Sequence, residues 1–229
     1  MKLTIIIPCY NEQSTIKEIV QKINLQKNIN KEIIIIDDNS TDRTKEILEK
    51  ELRNEVNKII LNDKNYGKGY SIRKGIENAS GDYTLIQDAD LEYDPNDYKK
   101  LLRPIENGNA DVVYGSRFIG GDEKRVLYFW HTMGNKFLTL ISNIFSNLNL
   151  TDMEVGYKLF KTDLLKSIDL KEDRFGFEPE ITAKISKKNI KIYEVGISYF
   201  GRKYSEGKKI TWKDGFSALR CIFKYNLFN

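Results

Sequence analysis

Apolar positions recur along the first half of the chain with two alternating periods. Leu3 to Ile7 and Ile33 to Ile36 are unbroken, largely β-branched runs, the pattern of strands buried on both faces of a parallel sheet. Behind the first run, Ile16, Ile19, Val20 and Ile23 fall at helical spacing after Ser14 and predict a helix over 15–25. Behind the second, Ser40, Thr41 and Asp42 supply starting signals for a helix over 44–52. The alternation continues with a strand at 58–61, a helix over 70–79 stopped by Ser80-Gly81, and a strand at 83–87. A helix opened by Pro95 and a strand at 111–114 complete five β/α units before residue 118. The pattern then loosens into a loop at 119–122, an amphipathic helix over 126–148, a strand at 156–160 and a helix over 179–186. A strand at 191–198 and a last amphipathic helix from Trp212 follow. The expected organisation is one α/β domain over residues 1–200, built on a mostly parallel central sheet. A C-terminal amphipathic helical extension over 201–229 would contact a membrane or a second copy of the chain.

Composition narrows the classes without changing that picture. In 229 residues, 40% hydrophobic and 31% charged, there is ample material for a core and none of the bias of disordered or fibrous chains. The net charge of +4 is too small and too scattered to make a nucleic acid the expected partner. Cys9 and Cys221 stand near opposite ends, which leaves no redox pair, zinc spacing or disulfide framework and fits a reducing cytoplasm. The apolar run after Met1 is too short for a secretion signal, and 137–150 is broken by Thr139, Ser142, Asn143, Ser146, Asn147 and Asn149. Neither run therefore reads as membrane-spanning, and the expected location is cytoplasmic, with peripheral contact at the cytoplasmic membrane face.

Parallel sheets bind ligands beyond the carboxyl ends of their strands. Here those ends carry Pro8, Tyr10, Asn11 and Glu12, then Asp37, Asp38 and Asn39, then Asp88, Asp90 and Glu92, then Ser116 and Arg117. Read as extended backbone, Asp88 and Asp90 project to one side around Ala89 and could share a hard divalent cation, with Glu92 a further step along. Mg²⁺ or Mn²⁺ suits such an oxygen-only set and would neutralise a diphosphate. Asn65-Tyr66-Gly67-Lys68-Gly69 opens a helix with glycine and Lys68, an arrangement suited to an anion. It is neither a Walker loop nor a dinucleotide fingerprint, since Ile72 stands where the latter needs glycine. His131, the sole histidine, and Cys9 read as packing residues.

The ordered runs LTIIIPCYNE, IIIIDDNSTDRT, NYGKGYSIRKG, DADLEYDP and VVYGSRF resemble the inverting family-2 glycosyltransferases of the GT-A fold. So do Thr151 to Lys158 and Phe175 to Glu180. The resemblance spans about residues 1–200 and is greatest to the dolichyl-phosphate mannose and glucose synthase branch. It implies that Pro8, Tyr10 and Glu12 with Asp38 line the nucleobase and ribose pocket. It further implies that Asp88, Asp90 and Glu92 hold Mg²⁺ or Mn²⁺ with Ala89 between them, and that Arg117, Arg202 and Lys208 or Lys209 meet the donor diphosphate or an acceptor phosphate. Asp152 and Glu180 would shape the sugar and acceptor side, completing a catalytic set with Asp90 and Arg117.

The implied reaction moves a hexose from a UDP- or GDP-sugar to polyprenyl phosphate, or to a hydroxyl of a glycolipid, diacylglycerol or polysaccharide. A hydroxyl acceptor would need Asp152, Glu178 or Glu180 as base; a lipid phosphate is already ionised and needs none. Leu127, Phe129, Trp130, Phe137, Leu138, Ile141, Ile144 and Phe145, with the aromatic and basic residues from Trp212 onward, fit a membrane interface, packing on the sheet, or a homo-oligomer contact. A nucleotidyltransferase would need a glycine-rich loop where Pro8-Cys9-Tyr10-Asn11 stands, and a non-catalytic sugar-nucleotide-binding protein would not need an intact Asp88/Asp90 pair.

Overall fold

The computed structural model describes residues 1–120, 125, 126, 128–202 and 212–228. A seven-stranded sheet runs through it in the order β3-β2-β1-β4-β6-β5-β7. Its strands are β1 (Leu3–Cys9), β2 (Lys31–Asp37), β3 (Lys58–Leu61), β4 (Tyr83–Ile86), β5 (Val112–Ser116), β6 (Lys158–Lys161) and β7 (Ile192–Gly196). The apolar runs become the centre: β1 lies between β2 and β4, with Ile5 opposite Ile33 on one side and Leu85 on the other. Ile5, Ile6, Ile7 and Ile33 to Ile36 are all buried, which explains why no polar residue interrupts them.

Helices α1 (Ile16–Asn24), α2 (Thr44–Lys50), α3 (Lys68–Asn78) and α4 (Tyr98–Glu106) make the crossovers, and α1 buries Ile16, Ile19, Val20 and Ile23 as its spacing predicts. Pro95 opens a short 3₁₀ turn at Pro95–Asp97, capped when Asp94 accepts from the Asn96 N–H, and α4 follows it. β6 runs antiparallel to both β4 and β5, so the sheet is mostly rather than wholly parallel. The short helix α6 (Thr162–Lys166) follows β6 directly.

Three further helices gather at one end: α5 (Phe129–Ser146), α7 (Phe177–Ser186) and α8 (Trp212–Leu227) pack on one another. α8 buries Ala218, Cys221, Ile222 and Tyr225, and Cys221 and Tyr225 pack with Ala183 of α7. Glu172 fastens it, accepting from Arg220 (2.6 Å), Lys224 (3.0 Å) and the Tyr225 hydroxyl (2.8 Å). α5 inverts the usual pattern, because it buries Thr139 and Ser142 while Phe129, Trp130, Met133, Phe137, Leu140 and Ile144 face outward. No helix among the described residues is long and apolar enough to cross a membrane.

Candidate active site

A cleft of about 1030 Å³ opens over the carboxyl ends of β1, β2, β4 and β5. Its near end holds Pro8, Cys9, Tyr10, Glu12 and Asp38; its middle holds Lys68, Asp88, Ala89, Asp90, Glu92 and Arg202; its far end holds Arg117, Glu154 and Glu178. Residues of α5 and α8, among them Trp130, Phe137, Phe216 and Leu219, close the far wall. Among the described residues, the positions expected from sequence thus gather in one place, except for Asp152 and Glu180.

At the near end, Asp38 is committed to the loop opposite it. Its carboxylate accepts from the backbone N–H of Tyr66 (3.0 Å) and Gly67 (2.7 Å) and from the Asn62 amide (2.8 Å). The Tyr66 and Gly67 N–H groups are therefore spent inside the protein rather than offered to a ligand. Gly67, at φ 113°, is needed for another reason: it and Gly69 let the backbone of residues 172–174 lie against the start of α3, where any Cβ would collide.

In the middle, the backbone over 88–92 is not extended. β4 ends at Ile86, the Asp90 carboxylate accepts from the Glu92 N–H (3.1 Å), and Leu91 adopts a left-handed φ of 63°. Asp88 pairs with Lys68 (2.9 Å), which also reaches Glu178 (3.0 Å), and Asp90 pairs with Arg202 (2.9 Å). Burial, then the charges of Asp88 and Glu92, push the Asp90 carboxyl up to about 7 even with Arg202 beside it. The Nε of Arg202 is buried without a hydrogen-bond partner. Asp88 and Asp90, brought side by side with the Asp90 carboxyl raised by its acidic neighbours, are the oxygen donors that would fit a divalent cation.

Glu92 does not join that pair. One of its oxygens accepts from the Arg202 backbone N–H (2.8 Å) and the other from the Tyr199 hydroxyl (3.0 Å), and among the described residues no three acidic, His or Cys side chains converge on one ion position. Glu92 instead fixes the segment that delivers Arg202. Gly156 gives Asp88 its space, since a Cβ there would strike the Asp88 carboxylate.

At the far end, Arg117 is held by Asp152 through paired bonds of 2.7 Å to both carboxylate oxygens, with its own N–H on Asp152 at 3.0 Å. Burial opposes the Arg117 charge, and Asp152 more than restores it, so the guanidinium stays cationic. Asp152 is fully buried behind Arg117 and does not reach the cleft. Glu180 is likewise buried away from it, accepting from the Lys171 and Glu172 N–H groups (2.8 Å each) and from Lys184 (2.6 Å). Both acids, expected from sequence on the sugar and acceptor side, thus lie behind the cleft wall rather than on it. Lys208 and Lys209 fall outside the described residues.

Among the lining residues outside the expected site are Arg125, His131 and Glu154. Arg125 donates to the Gly201 carbonyl (3.1 Å), and His131 lies against Tyr128 with ring centroids 5.4 Å apart. Their signal lay in the fold: the packing of α5 brings His131, the segment before β6 brings Glu154, and bonds to Tyr199 and Gly201 hold Arg125 at the cleft.

The family model described as Glycosyl transferase family 2 matches residues 4–169. The chain belongs to that family. The family-2 chain is 29% identical over 227 residues to the dolichol-phosphate mannosyltransferase of Pyrococcus furiosus, covering 98% of this chain and 63% of the relative. It is 28% identical over 224 residues to the low-salt glycan biosynthesis hexosyltransferase Agl6 of Haloferax volcanii, covering 96% of this chain and 52% of the relative. It thus spans less than two thirds of the length of either relative. Its fold is that of glucosyl-3-phosphoglycerate synthase from Mycobacterium tuberculosis, solved with Mn²⁺, uridine diphosphate and glucosyl-3-phosphoglycerate. The TM-score is 0.76 at 16% identity, over 98% of this chain and 80% of that one. The GT-A fold expected from the sequence motifs is therefore observed.

Proposed function

We propose that this family-2 chain transfers a hexose from a UDP- or GDP-sugar to a polyprenyl phosphate, using Mg²⁺ or Mn²⁺. The observation that carries the reading is the construction of the cleft: a charged floor of Asp88, Asp90, Lys68, Arg202 and Arg117 beneath a wall of α5 and α8 whose outward faces are apolar. Trp130 is 79% exposed and Phe216 67%, an arrangement suited to lying in a membrane interface above the charged floor.

Asp88 and Asp90 would hold the metal, which when bound offsets charge on the departing diphosphate. The nucleoside takes the near end beside Pro8, Tyr10 and Glu12. Lys68 and Arg202 face the diphosphate, and Arg117, rigid on Asp152, faces the phosphate that attacks. Of the three expected bases, Asp152 and Glu180 are buried away from the cleft, and although burial raises the Glu178 carboxyl, the charges of Lys68 and Lys158 hold it below its usual value and weaken it as a base. That favours an acceptor which arrives ionised. The test is transfer from labelled UDP- and GDP-hexoses into an organic-extractable product when polyprenyl phosphate is supplied. Label that needs Mn²⁺ and vanishes with EDTA is expected. Donor hydrolysis with no lipid product for any sugar would overturn the reading.

A further inference from the structure

The segment that precedes β6 is held at nearly every step. The Thr151 N–H donates to both Glu194 carboxylate oxygens and the Asp152 N–H to one of them, all at 3.0 Å. The Met153 N–H donates to the Thr139 hydroxyl (3.1 Å), and the Gly156 N–H to the Tyr93 hydroxyl (2.9 Å). Lys158, fully buried, donates to the carbonyls of Met153 (2.9 Å) and Val155, the two residues that flank Glu154.

The carboxyl of Glu154 is the exception. It lines the cleft, and its Oε1 is buried without a hydrogen-bond partner. A buried polar atom left unmatched is costly, and a rigid backbone that sets such a carboxyl in the wall of a cleft is arranged for a ligand. The sheet order says which part of the ligand arrives there. The near end lies over β1 and β2 and the charged middle over β4, so the segment before β6 and the end of β5 border what lies beyond the diphosphate. In a nucleotide-diphosphate sugar that part is the hexose.

Resting on the hexose-transfer reading above, we propose that Glu154 reads a hydroxyl of the transferred sugar and so helps set which hexose is accepted. Burial, with the Glu178 charge behind it, pushes the Glu154 carboxyl up to about 8 despite Lys158 and Arg117. Near neutrality it is therefore mostly protonated and offers one donor and one acceptor, the complement of a hydroxyl. A site that pairs a substrate hydroxyl in this way discriminates strongly against a sugar that cannot make the bond.

The test compares wild type, Glu154→Gln and Glu154→Leu for binding of UDP, GDP, UDP-glucose and GDP-mannose with Mn²⁺, alongside kcat and KM for any sugar that is transferred. All three proteins should bind the bare nucleotide alike. The affinity for nucleotide-hexose relative to bare nucleotide should be kept in Glu154→Gln and fall about tenfold or more in Glu154→Leu. An unchanged ratio in Glu154→Leu overturns the assignment, as does equal weakening of bare nucleotide and nucleotide-hexose. Loss of kcat with that ratio intact, in both variants, would also overturn it by making Glu154 a base. A wild type that binds none of the four nucleotides overturns the hexose-transfer reading itself, and this assignment with it.

Discussion

At the scale of single residues, the account rests on two carboxylates and on what surrounds them. Asp90 sits in a turn closed by its own side chain, with its carboxyl pushed up by burial and by its acidic neighbours, so it gains most from a cation. Asp90→Asn is expected to lower metal-dependent turnover about a hundredfold or more with the circular dichroism spectrum unchanged; near-normal turnover would remove the metal assignment. Gly156→Ala is a subtler probe, because the added methyl meets the Asp88 carboxylate and leaves the charges alone. The Mn²⁺ concentration for half-activation should rise about 10–100-fold, read from a metal titration, and an unchanged value would mean that Asp88 does not need its present position. The types and order of these residues were legible in the sequence. Their partners were not, since local spacing says nothing of Arg202 meeting Asp90 or of Asp152 lying behind Arg117.

At the scale of elements, the runs around Ile5, Ile34 and Ile19 declared themselves because strand and helix periods differ and the core needs both. Other features lay below that signal. The direction of β6 leaves no mark on a period-two pattern, and α6 spans only five residues, too few for a helical period. The turn at 88–92 was read as extended because nothing in the residues themselves announces a left-handed Leu91. The seating of α8 yields a prediction of its own. Burial alone would raise the Glu172 carboxyl, but hydrogen bonds from Tyr225, Lys224 and Arg220 hold it down at about 2. A carboxylate held below its usual value contributes stability that is full above its unfolded-state pKa and is lost as pH falls through about 2. Glu172→Gln removes the same contribution near neutrality. Cys221, on the buried face of α8, should then be alkylated several-fold faster by mass-spectrometric readout, and an unchanged rate would show that α8 is held by its apolar face alone.

At the scale of the whole molecule, the two amphipathic helices give the cleft an apolar rim. Burying a side chain such as Phe or Trp contributes about 1.5–3 kcal/mol, so the outward row on α5 together with Phe216 and Phe223 favours an apolar environment. Leu140→Glu combined with Ile144→Glu, on the outward row of α5 and outside the cleft lining, should reduce co-sedimentation with anionic lipid vesicles at least tenfold while leaving binding of UDP or GDP intact. Equal sedimentation of variant and wild type would place membrane contact elsewhere. The sequence showed that these segments were amphipathic, but the two neighbours that decide which face turns outward, α7 and the segment at 151–155, come together only in the fold.

The most direct test of lipid-phosphate glycosylation is an acceptor comparison in one vesicle preparation, with the same labelled nucleotide-hexose and Mn²⁺. Polyprenyl phosphate, the matching polyprenol and diacylglycerol are offered side by side. The predicted result is label on the phosphate alone, because a phosphate arrives ionised while Asp152 and Glu180 lie away from the cleft and Lys68 weakens Glu178 as a base. Label on polyprenol or diacylglycerol, with the phosphate inert, would contradict it.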